Sequence, residues 1–170
     1  MKILKTFSTY LFLIAVLAVA SLGQPRAANA DYTNALKGVS QVKAVFDVSA
    51  SSAFRLNLVF KAVEDVYKDE TVNALAKAPE AAVVFHGPAV KLLSTDAKHY
   101  KQQNQDEVKK FQDMLRQMSA DGVKVEVCQY ALEVLKVDPK TVIPEIHQVG
   151  NGFVSIVGYE TQGYSVVVIP

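Results

Sequence analysis

Short runs rich in Val, Ile, Ala and Phe, separated by stretches of helical period, limit what this chain can fold into more than any other feature. The runs are Val42–Val48, Ala81–Phe85, Val123–Val127 and Tyr164–Ile169. The first is apolar almost throughout, the pattern of a strand covered on both faces rather than one with a wet side. Between the first two, Leu56, Val59, Phe60, Val63, Val66 and Tyr67 recur at helical spacing, with Lys61, Glu64, Asp65 and Lys68 on the other face. Thr71 to Ala78 continues that helix or forms a short second one, stopped by Pro79. Ala89 to Ser94 is at most a short helical turn. Residues 106–120 place Val108, Phe111, Leu115 and Met118 on one stripe, with Asp106–Lys110 and Lys109–Asp113 spaced for ion pairs on the opposite face. Asp121-Gly122 reads as the glycine stop of this helix, and Gln129 to Lys136 as another short helix. Strands alternating with helices indicate a layered α/β fold around a mostly parallel sheet.

The last quarter is less decisive. Pro139 and Pro144 mark loops, and Ile146 to Val149 fits a short strand. Phe153 to Tyr159 carries β-branched residues that favour a strand, yet Phe153, Ile156, Val157 and Glu160 also fit a helix between Asn151 and Gly163.

The amino-terminal segment reads as a targeting signal. Lys2 and Lys5 precede an uncharged, largely apolar stretch from Tyr10 to Leu22, and Ala28-Asn29-Ala30 has the small-x-small pattern of a cleavage site. The apolar stretch is short of the ~20 residues that span a bilayer. The expected organisation is a signal peptide at 1–30, a lead-in at 31–41 and one α/β domain at 42–170, located in the periplasm or secreted and free of the membrane after cleavage. Cleavage removes Lys2, Lys5 and Arg26, taking the basic residues from 18 to 15 against 17 acidic ones, a net charge near −2. With no basic cluster along the sequence, that balance argues against nucleic acid as a partner.

Cys128 is the only cysteine, so no disulfide can form within the chain and packing alone must hold the fold. It is a buried inert thiol, an intermolecular partner or a reactive group. Right-handed crossovers put the ends of the first three strands on one edge of the sheet, where ligands of open α/β sheets collect. Asp47, His86 and Cys128 all lie at or beside such ends. A thiol there sits close to helix amino-terminal amides, which favour thiolate, and a neighbouring histidine can hold it in that form. Cys128 and His86 are therefore the candidate reactive pair. Gly87, Asp47, Asn57 and Tyr164 are candidate lining residues, Gly87 because it allows close backbone approach. His99 and His147 add no pair at metal-ligand spacing, so no metal is expected. No phosphate loop, Ser/His/Asp order or paired carboxylates stand out, and no cofactor is called for.

The chain resembles the DsrE/DsrF-like family. The matching pieces are Val83-Val84-Phe85-His86-Gly87-Pro88-Ala89-Val90, Gly122 through Cys128, Gly152-Phe153-Val154-Ser155-Ile156 and Gln162-Gly163-Tyr164, in the family's order from about Val42 to Pro170. The resemblance implies a three-layer α/β sandwich around a five-stranded sheet, a helix at the Phe153 segment, and assembly as a homotrimer or hexamer. It further implies that the cysteine matching Cys128 accepts sulfane sulfur as a persulfide and exchanges it with a donor or acceptor protein. Sulfur-relay members are cytoplasmic, and the export signal sets this chain apart from them. The rival reading is a non-enzymatic, oligomeric envelope binding or assembly module in which Cys128 only packs.

Overall fold

The computed structural model describes residues 32–170; the segment 1–30, expected to be a signal peptide, lies outside them. Five strands form one sheet: β1 (Lys43–Val48), β2 (Glu80–Phe85), β3 (Lys124–Cys128), β4 (His147–Val149) and β5 (Ser165–Ile169), in the order β4-β3-β2-β1-β5. Every pairing is parallel, so the expectation of a mostly parallel sheet is met without an exception. The two innermost strands are the apolar ones. Val45, Val48, Val83, Val84 and Phe85 are fully buried, as strands with layers on both faces require.

Helices α1 (Ala53–Lys68), α2 (Glu70–Asn73), α3 (Gln105–Ala120), α4 (Gln129–Val134) and α5 (Gly152–Thr161) complete the regular structure, with a 3₁₀ segment at Gly87–Leu93 where a short turn was expected. One face of the sheet carries Phe46, Val83, Phe85, Val125 and Val127, which share a core with Leu56 and Phe60 of α1 and Val108, Phe111, Leu115 and Met118 of α3. The stripes read from the sequence are the ones that pack. At the centre Phe60 and Phe111 meet edge to face with centroids 5.0 Å apart, and Phe85 lies 5.9 Å from Phe111. The opposite face presents Val45, Ala82 and Val84 to Ile156 and Tyr159 of α5 and to Tyr164. The result is a three-layer sandwich.

Local sequence explains the helix starts. Ser52 caps α1 by accepting from the Arg55 N–H, Asp69 caps α2 through Thr71 and Val72, and Asn151 caps α5 through Phe153. The ambiguous 153–159 segment is helical because it begins at that cap and because Ile156 and Tyr159 then reach the sheet together. The surface ion pairs differ from those expected. Lys110 pairs with Glu107 at 2.8 Å and Arg116 with Asp113 at 2.6 Å. Glu107 is already oriented by Asn57 on α1, and residues three apart also face one another on a helix.

Phe111 is fully buried among aromatic neighbours. Phe111→Ala should cost about 3–5 kcal/mol of unfolding free energy, measured by chemical denaturation. A loss below about 1 kcal/mol would show that the aromatic cluster does not hold the α1–α3 layer to the sheet.

Candidate functional site

Parallel pairing brings the carboxyl ends of β1, β2 and β3 to a single edge. Asp47 is the penultimate residue of β1, His86 follows β2, and Cys128 ends β3. The register Phe85↔Val127 sets His86 beside Cys128 one step further along. All three side chains belong to the face that α5 covers. His86 donates from Nε2 to Asp47 Oδ1 at 2.5 Å. Such a bond orients the ring, and in the neutral imidazole it leaves Nδ1 as the nitrogen able to accept a proton.

The amino end of α5 closes over this row. A Cβ on Gly152 would stand 3.1 Å from Cys128 Cβ, 3.2 Å from Val84 Cγ1 and 3.7 Å from His86 Cβ, so any larger residue would crowd Cys128 and Val84 at this approach. Phe153 then tilts its ring over His86, with centroids 5.0 Å apart. Cys128 is itself the residue preceding α4, and the Tyr130 N–H donates to Gly150 O at 3.2 Å, tying α4 to the loop that leads into α5. The amino ends of α4 and α5 thus both meet at Cys128. Cys128 is 4 % exposed.

Gly87 turns the chain just after His86 with φ of +51°, a left-handed conformation that a residue with a Cβ adopts only with strain. It follows His86 directly, at the end of the row. Asn57 and Tyr164 do not belong to the row. Asn57 lies on the α1 side of the sheet and donates to Glu107 O at 3.0 Å and to its carboxylate at 2.8 Å, clamping α1 to α3. Tyr164 is buried at the opposite edge. Its hydroxyl donates to Glu80 Oε2 at 2.6 Å and accepts from Lys124 Nζ at 2.7 Å, which lowers the Glu80 carboxyl and raises the Lys124 ammonium. The reason is topological: in a parallel sheet a residue preceding β5 sits at the amino-terminal edge, whereas Cys128 ends its strand at the carboxyl-terminal one.

Two neighbours escaped the sequence reading as site residues. One is Gly152, whose signal is a glycine directly after a capping asparagine. The other is Glu126, which accepts from the Tyr159 hydroxyl at 2.7 Å on Oε1 while Oε2 is buried without a hydrogen-bond partner among the described residues. Burial, reinforced by Glu126, pushes the Tyr159 hydroxyl well above its ordinary range. Among the described residues, no group of three or more His, Cys, Asp or Glu side chains is arranged to hold a metal.

Residues 37–169 match the model of the DsrE/DsrF-like family. The chain belongs to this family. A comparison with curated proteins finds no match. Among solved structures, this DsrE/DsrF-like chain is similar to the protein of unknown function MTH1491 from Methanobacterium thermoautotrophicum. Identity is 18 %, the TM-score is 0.56, and the match covers 75 % of this chain and 99 % of the other. It is also similar to the ychN protein from E. coli at 16 % identity and a TM-score of 0.49, covering 76 % and 99 % of the two chains. At such identity the likeness to MTH1491 is one of fold.

Gly152→Ala should push the amino end of α5 off Cys128 and Val84. Overpacking of this kind costs about 1–3 kcal/mol. Thermal unfolding should show the loss together with faster alkylation of Cys128; unchanged stability and unchanged thiol reactivity would mean that the close approach is not rigid.

Proposed function

We propose that this DsrE/DsrF-like protein carries or binds sulfane sulfur on Cys128 outside the cytoplasm. The observation that supports this most is the juxtaposition of the chain's sole thiol with a histidine already hydrogen-bonded to Asp47. In the proposed step, His86 takes the Cys128 proton and the thiolate attacks the outer sulfur of a persulfide or polysulfide, R–S–SH. A new S–S bond forms on Cys128, the donor S–S bond breaks, and R–S⁻ leaves and recovers the proton from His86. No net oxidant is needed, because the sulfane sulfur moves without changing oxidation state. Since Cys128 is buried, a donor reaches it only when the first turn of α5 lifts.

That burial favours a second reading, in which Cys128 is core packing and the protein is an envelope binding or assembly module. Intact-mass measurement after incubation with polysulfide separates the two. The sulfur reading expects one added sulfur on the wild type, none on Cys128→Ser, and a chain that starts at Asp31 when isolated from cells. An unmodified wild type whose thiol resists alkylation while folded establishes the packing role.

Self-association is part of the proposal. Phe153, Val154 and Val157 on the outward face of α5 are 61 %, 70 % and 59 % exposed, beside Val168 of the edge strand β5 at 61 %. A helix apolar on both faces calls for a cover on each, and a homotrimer or hexamer would supply it. Light scattering should report an oligomer that Val154→Lys weakens or dissociates. A monomeric wild type overturns this part.

A further inference from the structure

On the α1 side of the carboxyl edge lies a cavity of about 770 Å³ that contains none of the thiol-site side chains. Its walls come from the loop after β1 (Ser51), the first residue of α1, the 3₁₀ segment after Gly87, and residues 98–104 leading into α3. The lining holds Lys91, Lys98 and Lys101 together with His99, and not one carboxylate. For a domain whose acidic residues outnumber its basic ones once the leader is set aside, that is a concentrated imbalance. Lys98 is satisfied by Asp96 at 2.6 Å. Lys91 and Lys101 have no carboxylate partner among the described residues. His99 lines the cavity as well, and its Nε2 is buried without a hydrogen-bond partner among the described residues.

The surroundings add to the positive potential. Ala53, which lines the cavity, opens a helix of 16 residues with no acidic residue in its first turn, so its amino-terminal dipole is not offset from within. Asn104 also lines the cavity, and as the residue preceding α3 it makes no side-chain capping bond, which leaves its amide available. Apolar surface is present too, from Leu92, Pro88 and Ala53. Pockets that hold small organic molecules range over about 300–1,000 Å³ and combine such surface with a few convergent polar groups.

We infer that this cavity binds a small organic molecule bearing a phosphoryl or sulfuryl oxyanion, the oxyanion held by Lys91 and Lys101 near the start of α1 and the organic body resting on Leu92 and Pro88. The inference is independent of the sulfur reading, because neither Cys128 nor His86 lines the cavity.

Phenyl phosphate and inorganic phosphate are the probes, titrated into the purified protein by calorimetry. Phenyl phosphate should saturate one site at millimolar concentration or below. Lys91→Gln and Lys101→Gln should each weaken it about fivefold, the scale of a solvent-screened charge-assisted contact, and added salt should weaken it further. Lys61→Gln, on the exposed face of α1 away from the cavity, should leave the affinity unchanged. All of these substitutions fall on side chains outside the core, so folding is checked by an unaltered thermal midpoint. No saturable binding in the millimolar range overturns the inference, as does a loss with Lys61→Gln equal to that at the cavity lysines. Inorganic phosphate binding as tightly as phenyl phosphate overturns the organic body.

Discussion

Parallel pairing of β1 with β2 is the interaction on which the rest depends. Because both strands run the same way and are buried on both faces, each must be followed by a crossover that returns along the sheet, and those crossovers are the layers. The same constraint gathers the ends of β1, β2 and β3 at one edge. Asp47, His86 and Cys128 are distant in sequence, yet they become neighbours as soon as the strands align. The edge exists because of strand direction, before any side chain is considered.

The two faces of the sheet are covered unequally, and the consequences differ. On the α1–α3 side, four phenylalanines and a stripe of long aliphatic residues fill a deep core, and the polar groups there are structural. Gln112 is one, buried and donating to Leu92 O and Ser94 O at 2.9 and 3.0 Å, which anchors the 3₁₀ segment to α3. On the other side a single short helix does the covering. It reaches over the sheet at Gly152, Ile156 and Tyr159 and leaves Phe153, Val154 and Val157 facing outward. The thiol row lies under the thinner layer, against the first turn of α5. The basic cavity lies beyond the thicker layer, between the starts of two long helices.

Much of the architecture was legible from periodicity. Val45, Phe46, Val83 and Phe85 lie in runs too apolar for a half-wet sheet, and Phe60, Phe111 and Leu115 recur at helical spacing. Both patterns follow from burial, which composition records directly. The 153–159 segment was not legible from propensity, because Val154, Val157 and Ile156 suit a strand as well as a helix. The Asn151 cap and the place of Ile156 and Tyr159 against Val84 and Ala82 make it a helix. Asn57 and Tyr164 were misplaced for a related reason. Residue type suggested polar lining, but the face of α1 and the edge of the sheet on which they fall depend on packing and strand direction.

Taken alone, the order of residues determined the alternation of strand and helix, the absence of any internal disulfide, and the placement of Asp47, His86 and Cys128 at strand ends. These follow from local rules, since periodicity, capping chemistry and cysteine number need no partner from elsewhere in the chain. Tertiary structure alone decided that His86 bonds Asp47, that Gly152 presses against Cys128, that Tyr164 belongs to the far edge, and that Lys91 shares one cavity with Lys98 and Lys101 of a later segment. Each of those depends on distances between segments far apart in the chain. Such distances are set by how the layers stack, and no short window of sequence records them.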